Sequence, residues 1–223
     1  MVCAMLLSLS VCPDNCVPLV RDGAHVALKA AARNHRSDEV VAWSACVTLR
    51  TMSLHYENTA ALVRDGAHTA VITAAQDHSG SLRVVRAATI ALRNLALAPG
   101  NAVPLVRGGA HTAVMAAMRG YFSGDMEVAW AACSALRFLS FAADNAVPLV
   151  RDRAHTAVMA AARAHIDEVL VVRAACGTLA NLSRTADCRA GLARDGVGKF
   201  VVFASERHRA DATVKDYCRR VVL

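Results

Sequence analysis

"VPLVRDGAH" occupies Val17–His25. It returns as "AALVRDGAH" at Ala60–His68, "VPLVRGGAH" at Val103–His111 and "VPLVRDRAH" at Val147–His155. The closing histidines, His25, His68, His111 and His155, lie 43, 43 and 44 residues apart. The additional residue can be located. Trp43, Arg86 and Arg173 each follow their histidine by 18 residues, whereas Trp130 follows His111 by 19. The insertion therefore falls in "GYFSG", Gly120–Gly124, a loop-forming string, and loops tolerate insertions where packed elements do not.

A period near 43 is compatible with helical solenoid units or with the four-stranded blades of a propeller. The Gly-His and Trp-Asp marks of a blade are absent. Composition points the same way: 55% of residues are hydrophobic but only 4% aromatic, so the apolar content is Ala, Leu and Val rather than strand-favouring aromatics. The expected fold class is all-α.

One unit, 15–57, reads as three helices. Asn15, repeated at Asn58, Asn101 and Asn145, is placed as an N-cap. Pro18 falls in the first turn, where its missing N–H costs nothing. A short helix over about Cys16–Asp22 precedes Gly23, which supplies a left-handed bend. A second helix spans Ala24–Asn34, "HRSD" turns the chain, and a third helix runs from about Glu39 to Leu54. The repeated phrase is thus a bend between two helices, and its role is geometric. In the fourth copy Arg153 replaces the glycine, so that bend either carries strain or takes another geometry.

The apolar N-terminus aligns with the third helix one period later: Cys3 with Cys46, Leu6 with Leu49, Leu9 with Met52, Ser10 with Ser53. It lacks the basic flank of a signal peptide. The chain is accordingly divided into a partial repeat 1–14, full repeats 15–57, 58–100, 101–144 and 145–187, and a divergent C-terminal repeat 188–223 with a last helix near Ala212–Val221. A solenoid that opens mid-repeat would expose an apolar end, which raises self-assembly as one expectation.

The third helix separates a constant face from a varied one. The position of Val41 is always Val, that of Ala45 always Ala, that of Leu49 always Leu, and that of Met52 is Met or Leu. At 100° per residue these form one core stripe. Roughly opposite, one position reads Trp43, Arg86, Trp130, Arg173; four residues on, Val47, Ile90, Ser134, Gly177; eight on, Thr51, Asn94, Phe138, Asn181. Arg50, Arg93 and Arg137 lie beside them. A constant core opposite a varied face is the pattern of a scaffold carrying a recognition surface.

The strings "NAVPLVRGGAHTAVMAAM", "AATIALRNLA" and "AACGTLANLS" resemble armadillo repeats over nearly the whole chain. The resemblance implies a right-handed superhelical solenoid whose third helices line a groove for an extended peptide. In importin-like members a late Asn of that helix bonds the peptide backbone; Asn94 and Asn181 match it, while Thr51 and Phe138 do not. No Trp stands one turn earlier, which argues against recognition of basic nuclear signals. The expected site is Trp43, Thr51, Arg86, Asn94, Trp130, Phe138, Arg173 and Asn181, taking an acidic or mixed-charge segment of another protein. Trp43 and Trp130 serve as stacking platforms or pack on the next repeat. Arg86 and Arg173 clamp acidic groups or stack on those rings.

Other readings remain. A net charge of +7 and the ladders Arg21, Arg64, Arg107, Arg151, Arg194 and Arg33, Arg119, Arg163 suit nucleic acid or a solvated edge. Histidines one helix spacing apart cannot share a metal, so no metal is expected; a second set, His35, His78, Tyr121 and His165, reads as loop surface. Cys3, Cys46, Cys133 and Cys176 occupy one inward position, as small hydrophobes of a reducing compartment. Cys12 and Cys16 form a weak metal or disulfide candidate. No catalytic motif is found. Neither enzymatic activity nor a cofactor is expected. No apolar run spans a bilayer, and the expected setting is cytoplasmic or nuclear.

Overall fold

A computed structural model describes residues 2–120, 124–221 and 223. Every regular element among them is helical. Helix α1 (Val2–Ser10) precedes five groups of three: α2 (Pro13–Arg21), α3 (Ala24–Asn34) and α4 (Glu39–Met52); α5 (Tyr56–Arg64), α6 (Ala67–Asp77) and α7 (Leu82–Ala96); α8 (Ala102–Arg107), α9 (Ala110–Arg119) and α10 (Met126–Leu139); α11 (Ala146–Arg151), α12 (Ala154–Ala164) and α13 (Val169–Ser183); α14 (Ala186–Arg194), α15 (Val197–Arg207) and α16 (Ala212–Arg220). Short 3₁₀ turns, Pro99–Asn101 and Ala143–Asn145, lead into α8 and α11. Like packs on like: the third helices form the series α4, α7, α10, α13, α16, and the second helices the series α3, α6, α9, α12, α15. The predicted second helix spans Ala24–Asn34 as found, while the first begins three residues earlier, at Pro13.

The core stripe is buried as its periodicity requires. Ala45, Ala88, Ala132 and Ala175 and Leu49, Leu92, Leu136 and Leu179 are all buried, and they join one continuous cluster from α1 to α16. Val41, in the first full repeat, is only partly buried. Alanine in the middle of α4, α7, α10 and α13 lets these third helices approach closely.

The repeated phrase does form the bend. Gly23, Gly66, Gly109 and Gly196 all adopt positive φ, 75–84°. Arg153 takes the same left-handed geometry, φ 65°, so the fourth bend keeps its shape and carries the strain. Its exposed side chain makes a 3.8 Å ion pair with Asp195. Arg153→Gly is expected to raise stability by about 1 kcal/mol, read as a higher urea midpoint at unchanged slope; an unaltered midpoint would show the bend to be unstrained.

The phrase also joins repeats. His25, His111 and His155 are buried, and each pairs through Nε2 with an aspartate of the next bend: Asp65 at 3.0 Å, Asp152 at 2.9 Å and Asp195 at 2.8 Å. The adjacent Arg64, Arg151 and Arg194 hold the same aspartates. Asp65 is pulled down to about 2, first by Arg64 and then by His25. The third copy writes Gly108 where the others have Asp. His68 then lacks a carboxylate, and burial lowers its pKa. A Cβ at Gly108 would stand 2.9 Å from His68 Nε2.

The asparagines correct the sequence reading. Their side chains do not cap the helix that follows. Each donates Nδ2 backwards to the last turn of the preceding third helix: Asn15 to the Leu9 carbonyl, Asn58 to Met52, Asn101 to Leu95, Asn145 to Leu139. Asn58 and Asn101 also reach a carbonyl one repeat earlier, those of Cys16 and Thr59. Orphan helix-end carbonyls are thereby satisfied. Three of the third helices are capped by aspartate: Asp38, Asp125 and Asp211 accept from the first-turn amides of α4, α10 and α16.

Among the described residues no single helix is long and apolar enough to cross a membrane; α10 and α11 would be so only together, and they bend by 117° at their junction.

Candidate functional site

The third helices carry the candidate site, and the stack brings most of its predicted residues onto one partly exposed face. Trp43 and Trp130 are partly buried and rest on the core. Each ring is covered by an arginine of a neighbouring third helix: the Arg83 guanidinium lies 5.6 Å from the Trp43 ring centre, and that of Arg93 lies 4.6 Å from Trp130. Arg137 lies over Phe138 at 4.8 Å and donates Nη1 to the Tyr217 hydroxyl at 2.8 Å. Phe141 stands 6.2 Å from Phe138, ring to ring.

Several predicted residues are already engaged within the stack. Arg86 pairs with Asp125 at 2.5 Å and Glu127 at 2.9 Å. Arg173 holds Asp211 through Nε and Nη2. Both aspartates cap the next third helix, so these arginines tie one repeat to the next. They neither stack on the tryptophans nor offer a free charge to an acidic ligand, which corrects both readings. Asn94 is 1% exposed, with its amide directed to the Arg50 carbonyl and its oxygen accepting from Arg93. As placed it cannot meet a peptide backbone. Asn181 is partly exposed but donates to the Arg137 carbonyl and Ser140 Oγ. Thr51 donates back to Val47.

Arg93 and Arg137 carry charges that no carboxylate answers among the described residues, and each has a buried Nε without a hydrogen-bond partner. Burial, then the nearby Arg137 charge, lowers the pKa of Arg93. Two like charges held together on aromatic rings without a counter-charge form a strong anion-seeking arrangement. Gly177 makes room for it, since a Cβ there would lie 2.7 Å from Arg137 Cδ. The sequence placed Gly177 on the varied face and Arg93 and Arg137 beside it; nothing in it pointed to Tyr217.

The remaining candidates are structural or lie elsewhere. Of the second histidine set, His78 hydrogen-bonds the Arg36 carbonyl of the preceding repeat, as His208 one period beyond the set does with the Ile166 carbonyl, so His78 joins turns rather than only lining the surface. Tyr121 lies outside the described residues. Cys16 is buried and donates to the Ser10 carbonyl, whereas Cys12 is exposed. Among the described residues no cluster of His, Cys, Asp and Glu is arranged to hold a metal. Arg21, Arg64, Arg151 and Arg194 each pair with the following aspartate, which largely cancels the positive stripe that nucleic acid would follow. A cleft of about 470 Å³ opens between α3 and α6. Lys29 stands there where later repeats place the buried Ile72, Met115 and Met159, and its ammonium turns away to the Asp65 carbonyl.

No family model matches the sequence, and no curated protein matches it. One solved structure, described as that of an engineered protein, is similar with a TM-score of 0.81, covering 98% of this chain and 86% of the other at 17% identity. At that identity the likeness establishes fold alone: an all-α stack of helical repeats.

Proposed function

We propose that the chain is an armadillo-type, right-handed superhelical solenoid. In this reading it is a non-catalytic scaffold whose third-helix groove binds an extended acidic segment of a partner protein in the cytoplasm or nucleus. The period, the short–long–long helix pattern and the Gly-turn phrase support the family reading. The observation that carries the function is the Arg93–Arg137 pair, bedded on Trp130, Phe138 and Tyr217 with no carboxylate of its own. An acidic side chain entering there would gain charge-assisted hydrogen bonds of about 1.5–3 kcal/mol each. Trp130 and Phe138 supply apolar ground beneath it, and Trp43 with Thr51 extend the face by one repeat. Self-association, the remaining alternative, would use the exposed Val2, Met5 and Leu9 of α1 and Val202 and Phe203 of α15.

Fluorescence anisotropy with a labelled glutamate-rich peptide, and a lysine-rich peptide of equal length, tests the reading. The glutamate peptide is expected to bind and the lysine peptide to fail. Arg93→Ala with Arg137→Ala is expected to weaken binding at least tenfold, the helical circular dichroism being retained. Undiminished binding by the double variant would remove the site. Preferential binding of single-stranded RNA, with a steep salt slope lost on substitution of the exposed arginine stripe, would replace a peptide ligand with nucleic acid.

A further inference from the structure

Two cysteines take no part in the arginine–aromatic face. Cys176 is buried in α13, and Cys218 is partly exposed in the last turn of α16. They are 42 residues apart in sequence, yet their sulfurs share a hydrogen bond at 3.7 Å. The other buried thiols are placed differently: Cys133 meets the Met118 sulfur and Cys16 the Ser10 carbonyl. We propose that Cys176 and Cys218 are a peroxide-oxidisable pair, in which Cys218 reacts first and Cys176 resolves it to a disulfide joining α13 to α16.

The environments of the two sulfurs divide the roles. Cys218 is partly exposed. In the structure Cys218 donates to the Cys176 sulfur; once Cys218 has lost its proton Cys176 donates in return, which stabilises the thiolate and lowers its pKa against the opposing effect of partial burial. Cys176 is raised, by the same hydrogen bond and by burial, and so remains a protonated thiol. Thiolate character and access together select the cysteine that peroxide oxidises. Burial pushes Cys46 and Cys133 up to about 12, which leaves them inert.

The chemistry balances with hydrogen peroxide as oxidant. The Cys218 thiolate attacks one peroxide oxygen, the O–O bond breaks, and the departing hydroxide takes a proton to become water. Cys218 is now a sulfenic acid. The Cys176 sulfur attacks the Cys218 sulfur, the S–O bond breaks, and the leaving hydroxide carries off the Cys176 proton as a second water. Two thiols have lost two hydrogens and two electrons, and one peroxide has become two waters. The sulfurs must close from 3.7 Å to a bond length of about 2.05 Å. Helix α16 packs on α13 and α15, and a small shift of its final turn supplies that movement. The product pins α16, with Tyr217 beside Cys218, against α13. This inference stands whether or not the third-helix face binds a peptide.

Cys12 is an exposed thiol in the same chain and serves as the internal comparator. The folded protein is titrated with hydrogen peroxide, alkylated and digested without reductant, and the peptides are weighed. The linked Cys176–Cys218 peptide, lighter by two hydrogens, is expected before Cys12 is consumed, and dithiothreitol is expected to reverse it. Cys218→Ser should abolish the link. Cys176→Ala should leave a Cys218 sulfenic acid that dimedone traps. Complete oxidation of Cys12 while Cys176 and Cys218 still alkylate would overturn the proposal, as would a link that forms only in denaturing urea.

Discussion

Asn101→Ala is expected to lower the unfolding free energy by about 3 kcal/mol, a fall in melting temperature of roughly 6–12 °C for a chain of this size. Asn101 is 5% exposed. Its amide donates to the Leu95 carbonyl at 2.9 Å and the Thr59 carbonyl at 3.0 Å. The first acceptor lies in the last turn of α7 and has no onward helical partner. Alanine leaves it buried and unpaired, at about 1–3 kcal/mol, and also removes the link to the previous repeat, about 1 kcal/mol more. Asn15→Ala is the control. Asn15 makes one such bond, to Leu9 at 2.9 Å, near solvent, so water replaces the lost partner and the cost is about 1 kcal/mol. Equal losses for the two variants would show that the backward hydrogen bonds do not hold the repeats together.

The misassigned asparagines show where the sequence stops being legible. An N-cap and a backward staple both call for asparagine at the start of a helix. They differ only in whether the preceding helix end lies within reach, which is a tertiary fact. The glycine bends and the Leu49, Leu92, Leu136 and Leu179 stripe were readable because local φ preference and helical period determine them with no knowledge of neighbours. The arginines were misread for the opposite reason. Arg86 and Arg173 varied where the core did not, and variation was taken as a sign of recognition. The repeat register nevertheless held the answer. The next third helix after Arg86 is capped by Asp125, and the one after Arg173 by Asp211. The helices after Trp43 and Trp130 start behind Ser81 and Glu168, whose side chains make no cap bond. Arginine thus goes with an aspartate cap in the next repeat and tryptophan with its absence. Part of the varied face is inter-repeat pairing; the peptide site proposed above rests on what remains, centred on Arg93 and Arg137.

Leu136→Ala is expected to cost about 3–4 kcal/mol. Leu136 is fully buried in α10, which packs on α7 before it and α13 after it. It lies in the helix that carries both of these interfaces. In a stack where each repeat contacts only its neighbours, stability is a sum of repeat and interface contributions, and weakening a central layer strains both halves. The expected result in urea is a lower midpoint together with a broadened or divided transition. Hydrogen exchange should show its largest loss of protection in α10 and the adjoining faces of α7 and α13. Val41→Ala provides the contrast, because Val41 is only partly buried in α4 and its truncation should cost about 1 kcal/mol. Arg137 lies on the same helix, so repacking of α10 around the cavity should also loosen the guanidinium seated over Phe138 and bonded to Tyr217. Weaker glutamate-peptide binding by Leu136→Ala, at concentrations where the variant remains folded, would tie the recognition face to the packing below it. Unchanged affinity alongside the full loss of stability would show that the arginine is held by its ring contacts and by the space above Gly177 alone.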